Sequence, residues 1–286
     1  MNALLMRNLR VYFRDKASVF FSLLSVLIII LLYALFLGDA WSSGSIFQGR
    51  QGVKHMMDSW IMAGLLAVVS VTSTMGAYGV MVEDRARKII KDFKSSPLSR
   101  AGLTGGYILA AFLIGLLMSL ITAVFAIIYI VARGGVFPGF IVLGKIFMLI
   151  VISSLSNTSL VLFLVSFISS SNAFGTASTL IGTLIGFLAG IYMPIGQLPS
   201  AVQTLIKFIP TSHAAALFRQ VLMEEPIRVV FLGAPENVVA GFKETMGVTL
   251  SWGGRNITAL EHVLVLAGAF VLFSLLSLWS LSKKKI

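Results

Sequence analysis

The chain has 286 residues, of which 57% are hydrophobic and only 12% charged, and its mean hydropathy is +0.96. A soluble globular chain carries about twice that share of charge, so the composition fits a bilayer as solvent. There is no cysteine, which excludes thiolate catalysis, cysteine-ligated zinc, iron–sulfur clusters and a disulfide-stapled secreted fold.

The formal charge of +11 would suggest nucleic acid in a soluble chain. In a membrane chain it reflects orientation and anionic lipid, and the placement of the basic residues favours this second reading, with no nucleic acid as partner. Residues 1–16 place Leu5, Leu9, Tyr12 and Phe13 on one helical face and Arg7, Arg10 and Arg14 on the opposite one. That pattern suits an interfacial helix, and a plain basic anchor would carry the same residues. Stretches long enough to cross a core of ~30 Å follow at 17–37, 59–82, 103–132, 140–168, 173–193 and 263–281, with Lys145 the one charge inside them. The first is read as a retained anchor, because no small-residue cleavage site closes it. Thirteen Lys and Arg residues lie before the first span, after the second and at the tail, against eight scattered over the longer opposite loops. Both termini are therefore expected in the cytoplasm. No linker divides the chain, so 1–286 reads as one membrane domain.

The cytoplasmic loop EDRARKIIKDFKSSPLSR, 83–100, predicts a short helix. Val82, Ala86, Ile89, Ile90 and Phe93 recur every three or four residues, and Glu83 with Arg87 and Asp84 with Lys88 form i,i+4 pairs. Ser95, Ser96 and Pro97 end it. Its apolar stripe suits a groove on a soluble partner or packing against the protein's own helix ends. Farther on, residues 139–145 have GxxxxGK spacing, but Ile146 follows where a phosphate loop needs a magnesium-binding Ser or Thr, so ATP binding is rejected. Lys145 either snorkels to headgroups or forms a charge on the transport pathway. Gly182, Gly186 and Gly190 permit close helix approach, within the chain or with another.

Residues 192–226 hold two apolar runs of about ten residues, 201–209 and 214–223, too short to cross and punctuated by Pro194, Pro199, Pro210 and Pro226. Thr211 or Ser212 is the expected N-cap of the second. The segment is either an external gate of re-entrant helices, with Leu205 and Leu217 as apolar members, or a hairpin on the surface. His55, His213 and His262 are too scattered to suggest a metal site.

Taken together, the basic amphipathic start, the six-span order, the 83–100 loop and PxxxLP followed by PTSHAAALFRQ resemble a type-2 ABC transporter permease. The resemblance implies an all-α membrane fold in which 1–16 is a connecting helix, 83–94 a coupling helix on a separate ABC ATP-binding subunit, and 198–221 external re-entrant helices. It also implies a second permease, identical or not, around one pathway. ATP and magnesium would sit on the partner subunit, with no cofactor or metal bound by this chain. The implied function is export of a drug, antimicrobial peptide, lipid-like toxin or glycan across a bacterial plasma membrane. The alternative is an ion-coupled carrier or channel, which normally places acidic residues or His inside its spans; all eleven acids here lie in loops or at span ends. The insert at 233–259 is longer than the simplest relatives would need.

Overall fold

A computed structural model describes residues 1–33, 50–95 and 99–283. Residues 34–37 of the first expected span and Pro97 of the expected docking loop lie outside these. The described chain is helical apart from one two-residue hairpin. Helix α1 (Asn2–Arg14) is followed by α2 (Lys16–Leu32), α3 (Val53–Ala86), the short α4 (Ile90–Ser95), α5 (Arg100–Ala132), α6 (Phe140–Ser166) and α7 (Ser171–Leu188). After a 3-10 turn at Ile195–Gln197 come α8 (Ser200–Ile206), α9 (Pro210–Leu222), α10 (Glu224–Val230) and α11 (Glu236–Thr245). Strands β1 (Ser251–Trp252) and β2 (Arg255–Asn256) pair antiparallel before α12 (Ala259–Lys283).

Among the described residues four helices, α3, α5, α6 and α12, are long and apolar enough to cross a membrane. Helix α3 is the axis of the bundle, buried over most of its 34 residues and packed on α5, α6, α7 and α9. Where it meets α6, Ser70 donates to Ser154 at 3.4 Å, and Ser73 and Thr74 of α3 and Ser153, Asn157 and Thr158 of α6 are likewise buried. Small side chains let helix backbones approach closely where lipid supplies no hydrophobic force between them. Thr74 satisfies its hydroxyl on the Ser70 carbonyl at 2.6 Å, and Tyr78 donates to the Thr158 carbonyl at 3.2 Å.

Helix α7 differs from the expected fifth span. Its 18 residues reach about 27 Å, and it stops at Leu188 instead of 193 because Gly190, at φ +65°, turns the chain into a left-handed conformation. Gly186 makes room for the Tyr192 ring and Gly190 for Ile195, whereas Gly182 faces open space. Two of the three glycines thus serve the chain's own turn.

The 83–100 loop is also not the single helix expected over 83–94. Helix α3 runs on to Ala86, the chain breaks at 87–89, and α4 occupies only Ile90–Ser95. The break is a helix stop with Lys88 at φ +64°, a conformation costing a non-glycine residue roughly 1 kcal/mol. Lys88→Gly should therefore stabilise the protein by about 0.5–1 kcal/mol, seen as a small rise in the thermal midpoint in detergent; an unchanged or lower midpoint would contradict the observed turn.

Candidate functional site

The end of the bundle that carries α1 and α4 is organised around Asp84, whose side chain is 4% exposed. Arg7 of α1 makes a bidentate ion pair with it, Nη2 donating to Oδ1 at 2.8 Å and Nη1 donating to Oδ2. Tyr107 of α5 donates to the same Oδ2 at 2.6 Å. The hydrogen bond to Asp84 holds the Arg7 guanidinium above the usual arginine pKa, so it stays charged. Arg7 also stacks over Phe93 of α4, 5.6 Å from the ring centre, a cation–π contact. One side chain thus joins α1, α3 and α4 and, through the shared carboxylate, α5.

This arrangement corrects two expectations. Arg7 is not on the water-facing side with Arg10 and Arg14, which are exposed. The buried face of α1 is Leu4, Asn8 and Tyr12, with Leu5 and Leu9 half-buried and Phe13 exposed. Asp84 is engaged by Arg7 and Tyr107 instead of Lys88, while the expected Glu83–Arg87 pair forms at 2.5 Å on the exposed surface. The apolar stripe of the loop likewise turns inward: Ile90 is buried, and Ile89 and Phe93 are half-buried, with Phe93 packed against the main core. The exposed residues of this segment are mostly polar, namely Glu83, Arg87, Lys88, Lys91 and Asp92, and Ala86 of the expected stripe is exposed beside them.

A groove of about 600 Å³ opens between α1, α3 and α7, lined by Tyr12, Asp15, Thr72, Glu83, Phe174 and Ser178 among others. Beside it α7 presents Asn172, Thr176, Thr179 and Thr183, all exposed and on one face at helical spacing. The three threonines bond their own helix, to the carbonyls of Asn172, Gly175 and Thr179 at 3.2, 3.0 and 2.9 Å. They can therefore tolerate an apolar neighbour and still exchange to a ligand.

At the opposite end, α9 is packed among α3, α6 and α12. It starts with Pro210 at its first position, where proline costs no hydrogen bond. The expected caps do other work: Thr211 donates to Asn157 Oδ1 at 3.2 Å, and Ser212 donates to the Leu188 carbonyl at 2.8 Å. Asn157 is 17 residues into α6, so the start of α9 sits about 25 Å along that helix. Leu217 is buried, but Leu205 is 58% exposed, so the two expected gate leucines are not equivalent. Pro194 is buried before the 3-10 turn, and Pro199 is exposed at the start of α8.

Arg219 is one of the eight basic residues scattered over the longer loops, yet it is wholly buried. Its Nη2 donates to the Ala189 and Gly190 carbonyls at 2.7 and 2.9 Å, its Nη1 to Gly247 at 3.4 Å, and its guanidinium lies 5.0 Å from the Trp60 ring centre. Gly64 of α3 leaves room for Ile191 and the guanidinium; a Cβ there would lie 2.6 Å from the Ile191 side chain. Trp60 donates to the Met246 carbonyl at 2.7 Å, and Gln220 to Val248 at 3.0 Å. The 233–259 insert is thereby laced onto α9 and α3. The one sequence signal for Arg219 is a lone arginine within the apolar run 214–223. His213 and His262, 49 residues apart, meet with their Nδ1 atoms 2.7 Å apart, so those two are not scattered; among the described residues no group of three or more candidate ligands could hold a metal. Lys145 is exposed on α6 and lines a separate cavity.

Residues 1–223 match the ABC-2 type transporter family. The chain belongs to that family. It is also 41% identical over 49 residues to Nodulation protein J of Rhizobium leguminosarum bv. trifolii, a stretch covering 17% of this chain and 19% of that protein. As an ABC-2 family member with four helices fit to cross a bilayer, it is a multi-pass membrane protein of the permease kind. In this permease the Asp84 lattice, the α3–α7 groove and Arg219 all lie inside the matched region, while α10, α11, the hairpin and α12 lie beyond it.

Proposed function

We propose that the chain is the membrane subunit of an ATP-driven exporter, docked through residues 83–95 on a separate ABC ATP-binding subunit and paired with a second permease, identical or different, across the α3–α7 groove. ATP and magnesium belong to the partner. Six spans place both termini in the cytoplasm of a bacterial cell, with α2 and α7 as the first and fifth, and α8 and α9 form a re-entrant pair closing the external end. The observation that carries this reading is the Arg7 lattice: a load on the small α4 reaches α1, α3 and α5 through one ion pair, which is what a loop driven by a soluble motor needs. The exposed Asn172–Thr183 stripe is compatible with the pairing, since on a shared passage its threonines can exchange their helix bonds for a ligand. A groove that sets apolar Val11, Met75, Val80 and Phe174 beside polar Thr72 and Ser178 and the carboxylates of Asp15 and Glu83 suits an amphipathic or hydrophobic substrate, such as a drug, peptide, lipid-like toxin or glycan. The ion-coupled alternative is weakened because the buried acids, Asp58 and Asp84, each already face an arginine, Arg133 at 3.5 Å and Arg7.

Because the offered face is polar, docking is tested there and not on the apolar stripe. The double substitution of Arg87→Glu and Lys91→Glu should lower co-purification of the co-expressed ATP-binding subunit at least tenfold with an unchanged thermal midpoint. Ile90→Asp, by contrast, should lower the midpoint itself, because it buries a charge. Unchanged capture by the double variant would overturn docking through this segment.

A further inference from the structure

A cavity of about 880 Å³ lies on the flank of the bundle, between the first turns of α6 and α12, the C-terminal half of α9 and the insert. It shares no lining residue with the α3–α7 groove. Gly144, Lys145, Met148, Leu149 and Ile152 line it from α6, a spacing that keeps them on one helix face over more than two turns. Leu217 and Val221 of α9 and Val263 of α12 form the apolar wall, while Lys243 and Glu224 join Lys145 among the charged lining. Met148 is 57% exposed and Leu264, next to Val263, 59%, so the cavity opens sideways toward lipid. Among the described residues no ion pair engages Lys145, Lys243 or Glu224. Two lysines against one carboxylate, about five residues into α6 and hence ~8 Å along it, above an apolar wall, make a site for an amphipathic anion. The volume suits one small amphiphile or the upper part of a lipid.

We infer that this cavity holds the phosphodiester headgroup and upper acyl chain of one anionic phospholipid from the surrounding leaflet, the lysines binding the phosphate and Met148, Ile152 and Val263 the chain. The inference rests on the proposed orientation only for naming that leaflet the outer one. A bound lipid here would brace α6 against α9 and the insert.

The test is binding of phosphatidylglycerol and phosphatidylcholine to the full-length protein in nanodiscs, where both leaflets are accessible and no ATPase is needed, so a failure of the exporter reading leaves the result unaffected. The wild-type protein should retain phosphatidylglycerol preferentially. Because one surface lysine near anionic lipid contributes roughly fivefold, the double substitution of Lys145→Gln and Lys243→Gln should weaken retention about 30-fold, and Glu224→Gln should strengthen it. Gly144→Trp should block the mouth while leaving every charge in place; no atom lies within 4 Å of a Cβ at that position, so the fold can accept it. Equal retention of the two lipids, or no change in both the double-lysine and Gly144→Trp proteins, would overturn the site. Displacement of the lipid by glycerophosphate at equal concentration would reassign it to a free phosphate anion and overturn the lipid assignment.

Discussion

Arg219→Met is expected to be among the most damaging single substitutions in this permease. It removes a guanidinium that donates to three backbone carbonyls, at Ala189, Gly190 and Gly247. The first two lie at the C-terminal end of α7, where the last carbonyls of a helix have no partner of their own. In an apolar interior each acceptor left unsatisfied costs about 1–3 kcal/mol. Some of that is offset because a buried cation, paired with no carboxylate among the described residues, is itself expensive to desolvate. The net loss should be about 3 kcal/mol or more, read as a fall in the thermal midpoint and as new protease cleavage between α7 and α8. Arg219→Lys should recover little, since an ammonium lacks the planar fork that reaches several carbonyls at once. Trp60→Phe should be milder, costing about 1–2 kcal/mol, because it removes one hydrogen bond and keeps the ring beneath the guanidinium. A Met variant as stable as the parent would mean that water reaches the end of α7, and the proposed closure by α8 and α9 would be wrong.

The second large effect is expected from Asp84→Ala. Removing the carboxylate strands the Tyr107 hydroxyl and the guanidinium of Arg7 at once. Breaking a fully buried pair costs about 3–5 kcal/mol; because Arg7 keeps 32% of its side chain exposed, a loss of about 2–3 kcal/mol is the better expectation. Its second consequence is mechanical: α1 and α4 lose their common bolt to α3, so trypsin should cut within α1, and ATP hydrolysis by the proposed partner subunit should continue without driving transport. Arg10→Ala and Arg14→Ala remove exposed charges and should change stability by no more than about 0.5 kcal/mol. If Arg10→Ala and Asp84→Ala release α1 equally, the helix is held by lipid electrostatics and not by the ion pair.

Hydropathy and charge placement in the sequence alone determined the membrane class, the approximate positions of α3, α5, α6 and α12, the basic loop between α3 and α5 and the Pro-punctuated segment after α7. These are local properties: a run of apolar residues is legible wherever it ends up, because lipid requires each spanning helix to satisfy its own backbone. Tertiary structure alone decided which face of each amphipathic piece points inward. The stripe of Ile90 and Phe93 looks identical whether it meets a partner or the protein's own core, and only the position of Arg7 above Phe93 selects the core. The charges were misread for a related reason. Lys88 is the correctly spaced helical partner for Asp84, but a left-handed turn removes it, and a residue 77 positions away in sequence takes its place. Arg219 and the pair of His213 and His262 were invisible for the same cause. Spacing along the chain carries no information on contacts between segments 28 to 49 residues apart, which exist only once α9 has been folded back among the spans and the insert drawn over it.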